Sequence, residues 1–292
     1  MTALLQPLGL LGPTGSGLGD TICASRFLPF YPPDVTIAVE PVLARLFSRL
    51  AASVIPFAGA RKIGPKLYEL GGVVYKLWIA GDQDGRSVWR RAHPDGALPP
   101  LPALWSDDAL RLGEKRCGQM RIGLCWRGSN GDARSISPAL LRPLLDVSGV
   151  AWVGLQLDDH ARELPIPGLD TFGVRDFADT AGILRQLDLV ITIDTSIAHL
   201  AGSLGAPTWL LNTAYHPGLW EGLTAGPVPW YPTVRLFKQT TPGDWSGVIA
   251  DVCTALAVSL PMDASSSLTT TLGEPTCGER GSGTIMVPCG RT

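Results

Sequence analysis

The chain predicts an α/β protein built from two Rossmann-like units with parallel sheets. Three observations carry this expectation. Short β-branched runs alternate with segments of helical periodicity, the pattern of a parallel sheet covered on both faces. The alternation occurs twice, and a proline-rich join, Leu98-Pro99-Pro100-Leu101-Pro102, separates the two series. The first series opens on a glycine-rich strand-to-helix turn, Gly12 to Asp20.

In the first series, an apolar run at 3–12 leads into Gly12-Pro13-Thr14-Gly15-Ser16-Gly17-Leu18-Gly19-Asp20. Cys23, Phe27 and Phe30 follow at helical spacing. Val35-Thr36-Ile37-Ala38-Val39-Glu40 reads as a strand by its β-branched content, completing one βαβ unit. A helix near 41–51, a strand near Ser53-Val54-Ile55-Pro56 and another at 73–79 are expected next. The second series starts with a buried strand at 121–126. A helix at 138–146 follows, with Pro138 in its first turn. A strand at 150–155 comes next. Phe177, Ala181 and Leu184 mark a helix capped by Asp179 or Thr180. After a strand at 189–193, a helix carries Ile197, Leu200, Ala201 and Leu204 and is stopped by Gly205 and Pro207. A strand at 208–211 and a helix at 244–258, with Ile249, Val252, Cys253 and Leu256 on its apolar face, complete the set. The expected division is an N-terminal unit at 1–115, a C-terminal unit at 116–261 and a disordered tail at 262–292, where Ser, Thr and Gly dominate.

Composition narrows the class. The 292 residues are 45% apolar, enough for a substantial core, and only 17% charged. A net charge of −2 gives no electrostatic reason to expect nucleic acid as a partner. The six cysteines form no C-x-x-C pair, which removes the zinc-ribbon and thioredoxin-like readings; Cys23, Cys125 and Cys253 read as small buried hydrophobes. No apolar stretch reaches the roughly 18 residues of a membrane span, and no basic leader opens the chain. These features predict a cytoplasmic protein without a transmembrane segment.

The chemistry concentrates at Asp194-Thr195-Ser196 and His199. A buried strand ends at Ile193 and a helix begins within two residues, outside the carboxyl end of a parallel strand, where open α/β sheets bind ligands. The helix start leaves N–H groups unpaired and carries about half a positive charge. Thr195 and Ser196 add hydroxyls, and His199 adds a proton or a hydrogen bond. The result is an anion cradle fit for a diphosphate. The plainer alternative has Asp194 as a helix cap and His199 as a partnered core residue.

The N-terminal glycine turn supports three readings. A Walker A loop fails, because Asp20-Thr21 follows Gly19 where Lys-Ser or Lys-Thr is required. A dinucleotide fingerprint comes closer, with Gly15 and Gly17 as G-x-G and Glu40 ending the next strand, but Asp20 occupies the third small position and would repel a pyrophosphate. In the third reading Gly15, Gly17 and Gly19 admit a ligand close to the backbone, and Asp20 faces it as a general base. Asp20 as a helix N-cap stands beside that reading.

Gly17-Leu18-Gly19-Asp20-Thr21-Ile22, with Arg26-Phe27-Leu28-Pro29, resembles the opening of the glycosyltransferase-like domain of bacterial tetratricopeptide-repeat proteins. That domain is related to the glycosyltransferase family 9 heptosyltransferases and distantly to the O-linked N-acetylglucosamine transferases. The resemblance continues through Phe177-Ala178-Asp179-Thr180-Ala181, Leu187-Asp188-Leu189-Val190-Ile191, Asp194 to Gly202, Pro229-Trp230-Tyr231-Pro232, Arg235-Leu236-Phe237 and Pro242-Gly243-Asp244-Trp245. It covers most of residues 120–255 and little of 41–115. It implies a GT-B fold, with two Rossmann-like domains facing a cleft and a nucleotide-sugar donor held by the C-terminal one, without a metal or other cofactor. It implies Asp20 as base, and Asp194, Thr195 and His199 on the donor diphosphate. It also implies a basic residue after the first C-terminal strand, with Arg134 the best match and Arg127 the second. The loop Gly128 to Ala133 is shorter than the family's.

Three functions follow as expectations. The first is glycosyl transfer from a nucleotide-diphosphate sugar to an acceptor that is a saccharide, a lipid-linked glycan or a protein. The second is a non-catalytic nucleotide-sugar-binding module. The third, disfavoured by Asp20, is a nicotinamide-dependent oxidoreductase. Trp126, Trp230 and Tyr231 read as packing residues.

Overall fold

A computed structural model describes residues 8–10, 17–25, 36–50, 53–56, 110–128, 134–156, 162–168, 172–215, 220 and 222–260. The strand expected at 73–79, the proline-rich join, Gly15 and the tail at 262–292 lie outside the described residues.

The N-terminal elements are β1 (Leu8–Leu10), α1 (Leu18–Ala24), β2 (Thr36–Val39), α2 (Pro41–Phe47) and β3 (Ser53–Pro56). Their strands form a parallel sheet in the order β1-β2-β3. The C-terminal elements are β4 (Met120–Cys125), α3 (Pro138–Leu145), β5 (Val150–Gly154), α4 (Phe177–Leu184), β6 (Leu189–Ile193), α5 (Ser196–Ser203), β7 (Thr208–Asn212), β8 (Gly226–Val228), β9 (Tyr231–Lys238) and α6 (Trp245–Ser259). Their sheet runs β5-β4-β6-β7-β9-β8 and is parallel except for β8. Two parallel βα series were the sequence expectation, and both are present.

The central strands β6 and β7 are buried at every residue, as continuous apolar runs in a doubly covered sheet must be. One face is covered by α3 and α6, through Leu141, Leu144, Val252 and Leu256 against Ile191, Leu211 and Phe237. On the other face, α4 and α5 contribute Phe177, Leu184 and Leu200. The same apolar cluster continues into Ile22 of α1, Ile37 and Val39 of β2, and Leu43, Leu46 and Phe47 of α2. The N-terminal elements therefore stack on α4 and α5, and burial of these side chains joins the two sheets' elements in one core.

An ion cluster reinforces that stacking. Arg45 of α2 donates through Nε and Nη2 to the two carboxylate oxygens of Asp176, at 2.8 and 2.7 Å, and its Nη2 lies 2.5 Å from Asp179 Oδ1. Arg175 makes a second fork onto Asp179, at 2.7 and 2.9 Å. The Arg175 hydrogen bonds, followed by those of Arg45, hold the Asp179 carboxyl well below the usual range against the opposing effect of burial. Asp179 and Thr180 are thus not the cap of α4. Asp176 is the N-cap, accepting the N–H groups of Ala178 and Asp179 at 2.9 and 3.2 Å. Phe177 is already the first helical residue and turns inward, so the cap must precede it.

The strand β9 and its antiparallel partner β8 went unanticipated. Pro229 and Pro232 flank the start of β9 and disguise it as a turn, yet Tyr231 is its first residue. The helix expected at 41–51 stops at Phe47, where Ser48 caps it.

Arg45→Ala removes the α2 contribution to the cluster and leaves Asp176 and Asp179 on their remaining partners. Charged hydrogen bonds of this kind contribute about 1.5–3 kcal/mol. Thermal unfolding of the variant is expected several degrees below the wild type, and an unchanged midpoint would show that the apolar contacts alone hold α2 in place.

Candidate functional site

From β4 the chain passes through α3 to β5 on one side, then crosses through α4 to β6 on the other. Strand order reverses between β4 and β6, which is where open α/β sheets take ligands beyond their carboxyl ends. The β4 exit, Cys125 to Gly128, and the β6–α5 turn, Asp194 to Ser196, both lie there.

Local chemistry sets the turn. Thr195, in extended conformation, is the N-cap of α5, and its hydroxyl accepts the Ile197 N–H at 3.3 Å. Asp194 is not the cap. Its main-chain carbonyl accepts from Arg134 Nη1 at 3.3 Å, and its carboxylate lies 3.7 Å from the same guanidinium. Arg134 therefore sits on the cradle. Arg127 instead pairs its guanidinium with Glu163, Nη2 to Oε1 at 2.9 Å and Nε to Oε2 at 3.0 Å. Gln156, two residues past β5, clasps the Arg127 peptide. Its Oε1 accepts the N–H and its Nε2 donates to the carbonyl, both at 3.2 Å. The Cys125 thiol lies 3.8 Å from the Thr195 hydroxyl, tying the β4 exit to the helix start.

His199 is 5% exposed, one turn into α5. Its Nε2 lies 3.8 Å from Asp194 Oδ1, and its Nδ1 is 3.1 Å from the Tyr231 hydroxyl. Burial opposes charge on this ring. A hydrogen bond to Cys23 and the negative charges around it, those of Asp194 and Asp20 included, outweigh burial and raise its pKa above the ordinary imidazole value. His199 is thus a buried, partnered residue, and it also stands beside the cradle.

The first turn of α1 meets this helix start. A Cβ built on Gly19 would fall 2.6 Å from His199 Cδ2 and 3.2 Å from Ser196 Cα, so only glycine allows the approach. The next residue, Asp20, is half-buried. It is not the N-cap of α1. Gly17 holds that position, and Asp20 reaches back from the third helical residue to accept the Gly17 N–H at 2.8 Å. The fold thus brings together Gly17, Gly19, Asp20, Asp194, Thr195, Ser196, His199 and Arg134, and turns Arg127 aside.

Sequence reasoning missed Tyr231, Gln156 and Cys23 as neighbours of the site. Tyr231 packs, as expected, but its hydroxyl also reaches His199. Cys23 follows Asp20 by one turn of α1, a spacing readable in the sequence, whereas the pairing with His199 exists only in the fold. Among the described residues no group of three or more His, Cys, Asp or Glu side chains is placed to hold a metal ion, and no helix is long and apolar enough to cross a membrane.

No protein-family model matches the chain. It is 29% identical over 274 residues to Protein FlbA of Caulobacter vibrioides, a match covering 83% of this chain. The chain spans 45% of the length of that relative. Among solved structures, the glycosyl transferase family 9 protein of Veillonella parvula superposes with a TM-score of 0.51 at 12% identity, covering 88% of this chain and 98% of its own. The E. coli ADP-heptose LPS heptosyltransferase II gives a TM-score of 0.51 at 15% identity, covering 87% and 98%. The fold is GT-B-like. In this GT-B-like chain the reversal between β4 and β6 and the α5 N-terminus fall on the larger sheet, and the Gly17–Asp20 turn comes from the smaller one.

Two measurements check the geometry. His199→Ala and Thr195→Ala are each expected to weaken nucleoside-diphosphate binding about tenfold or more, the worth of a charge-assisted contact, with folding intact. Because the raised pKa favours the cationic ring, wild-type affinity should fall as pH rises above the ordinary imidazole range and through that pKa, while His199→Ala stays nearly flat. Titration calorimetry with unchanged affinities would remove the cradle. Gly19→Ala must push the His199 ring aside or part α1 from α5. Such overpacking costs about 1–3 kcal/mol, so a lower melting temperature and weaker binding are expected together.

Proposed function

We propose that this protein transfers a sugar from a nucleotide-diphosphate sugar to an acceptor hydroxyl. One observation carries the reading: the α1 turn bearing Asp20 is seated on the α5 N-terminus through Gly19. A carboxylate base and an anion cradle thereby share one location, which glycosyl transfer requires. The GT-B-like fold, found in the two glycosyltransferases above, supports it.

In the proposed reaction, Asp20 takes the acceptor proton as the acceptor oxygen attacks the anomeric carbon. The bond from that carbon to the diphosphate oxygen breaks, and the nucleoside diphosphate leaves as an anion. Its growing charge is met by the positive end of the α5 dipole, the Thr195 and Ser196 hydroxyls, His199 and Arg134. These groups supply positive potential without a metal, and the proposal includes none. Residues 116–261 would hold the donor and 1–115 the acceptor, which is a saccharide, a lipid-linked glycan or a protein. The likeness to tetratricopeptide-repeat glycosyltransferases and a cytoplasmic location belong to the same proposal. Asp20 where a dinucleotide fold needs a small residue speaks against a nicotinamide cofactor.

Asp20→Asn keeps the size of the side chain and its hydrogen bond to Gly17. Donor affinity should stay nearly constant. Turnover, followed as nucleoside diphosphate released from the sugar donor, should fall by roughly 10²–10⁴, the usual worth of a positioned base. Full turnover in the variant would sink the assignment. Donor binding without turnover in the wild type would establish the non-catalytic binding module instead.

A further inference from the structure

Tyr231 is fully buried at the start of β9, with its ring laid against Gly202 of α5. A Cβ on Gly202 would fall 2.6 Å from Tyr231 Cγ, so the absent side chain is the seat of the phenol. That seat sets the hydroxyl 3.1 Å from His199 Nδ1, with the two rings edge to face at 5.9 Å. Trp220 packs on both rings, at 5.4 Å from His199 and 6.2 Å from Tyr231. Phenylalanine would fill the same space, and burying a hydroxyl is unfavourable unless it is hydrogen-bonded. Packing therefore does not account for the oxygen, whereas its placement on one particular ring nitrogen does.

The other nitrogen, Nε2, lies on the side of the Asp194 carboxylate, 3.8 Å from Oδ1. A phenol can donate to Nδ1 or accept from it. When it donates, the neutral imidazole carries its proton on Nε2, on the side of the Asp194 carboxylate. When the ring is protonated, the hydroxyl turns and accepts from Nδ1–H. Nε2–H lies on the side of the Asp194 carboxylate, at the β6–α5 turn, in both cases. We infer that Tyr231 is a positioning residue that fixes the Nε2–H tautomer of His199, so that the ring donates into the diphosphate cradle whether neutral or charged. The inference rests on the donor-site reading of α5. The other groups facing the ring are Cys23 and Asp20 from α1 and Asp194 from the β6–α5 turn. They raise its affinity for a proton, and Tyr231 is the group set on Nδ1.

The experiment is ¹⁵N NMR of the histidine side chains in the ligand-free full-length protein, above the ring's pKa, alongside pyrophosphate titration. The chain has four histidines, so His199→Ala identifies the signal. Wild type should show Nε2–H. Tyr231→Phe should show mixed tautomers and bind pyrophosphate about three- to tenfold more weakly, the range of one hydrogen bond, with a similar melting temperature. Gly202→Ala, which displaces the phenol while keeping its hydroxyl, should disturb the tautomer too. An unchanged tautomer in Tyr231→Phe, or Nδ1–H in the wild type, overturns the inference whatever the affinities. If His199→Ala leaves pyrophosphate affinity unchanged, the cradle reading falls, and with it the purpose assigned to Tyr231, even where the tautomer is as inferred.

Discussion

Gly19 lies where the α1 backbone comes so near Ser196 and His199 that a methyl group would overlap the imidazole. The meeting of the N-terminal and C-terminal elements at the site depends on that contact. It places the first turn of α1 against the first turn of α5 and so sets Asp20 near the α5 helix start. It also closes one side of His199 with Cys23, leaving the ring buried among groups that favour its proton. A side chain at this position would separate the carboxylate from the cradle by its own thickness.

The contact is stable because two helix pairs share the load. Beside α1 on α5, α2 rests on α4 through Leu43, Leu46 and Phe47, and Arg45 grips Asp176 and Asp179. The apolar side chains supply the area, while the ion cluster sets the register, since a charged fork has few ways to fit. The larger sheet contributes the third constraint. Its strand order reverses between β4 and β6, so the loops after those strands diverge and leave the α5 N-terminus open to a ligand.

Much of this was legible in the sequence. The strands β4, β6 and β7 are mostly apolar runs bounded by turns, and such runs read clearly because burial on both faces favours apolar residues. The strand-to-helix junction at Asp194 to His199 was legible because an apolar strand gives way there to hydroxyl residues that suit a helix start. What escaped depended on residues distant in the chain. Asp179 and Thr180 both suit a cap by local chemistry, but the guanidinium groups of Arg175 and of Arg45, far away in sequence, hold the Asp179 carboxylate and leave the cap to Asp176. The family resemblance ranks Arg134 first and Arg127 second, and the pairing of Arg127 with Glu163 appears only in the fold. Tyr231 looked like packing because prolines flank it and hide β9, and its bond to His199 appears only once β9 lies beside α5.

The central claim is that the α5 N-terminus and the α1 turn form one site for a nucleoside diphosphate. A crystal structure with a bound nucleoside diphosphate tests it most directly. The account predicts terminal phosphate oxygens within hydrogen-bonding distance of the first-turn N–H groups of α5, with His199 Nε2 and the Arg134 guanidinium on the same oxygens and Asp20 across from them. A diphosphate held instead by Arg127, or bound away from the β4–β6 reversal, would contradict it.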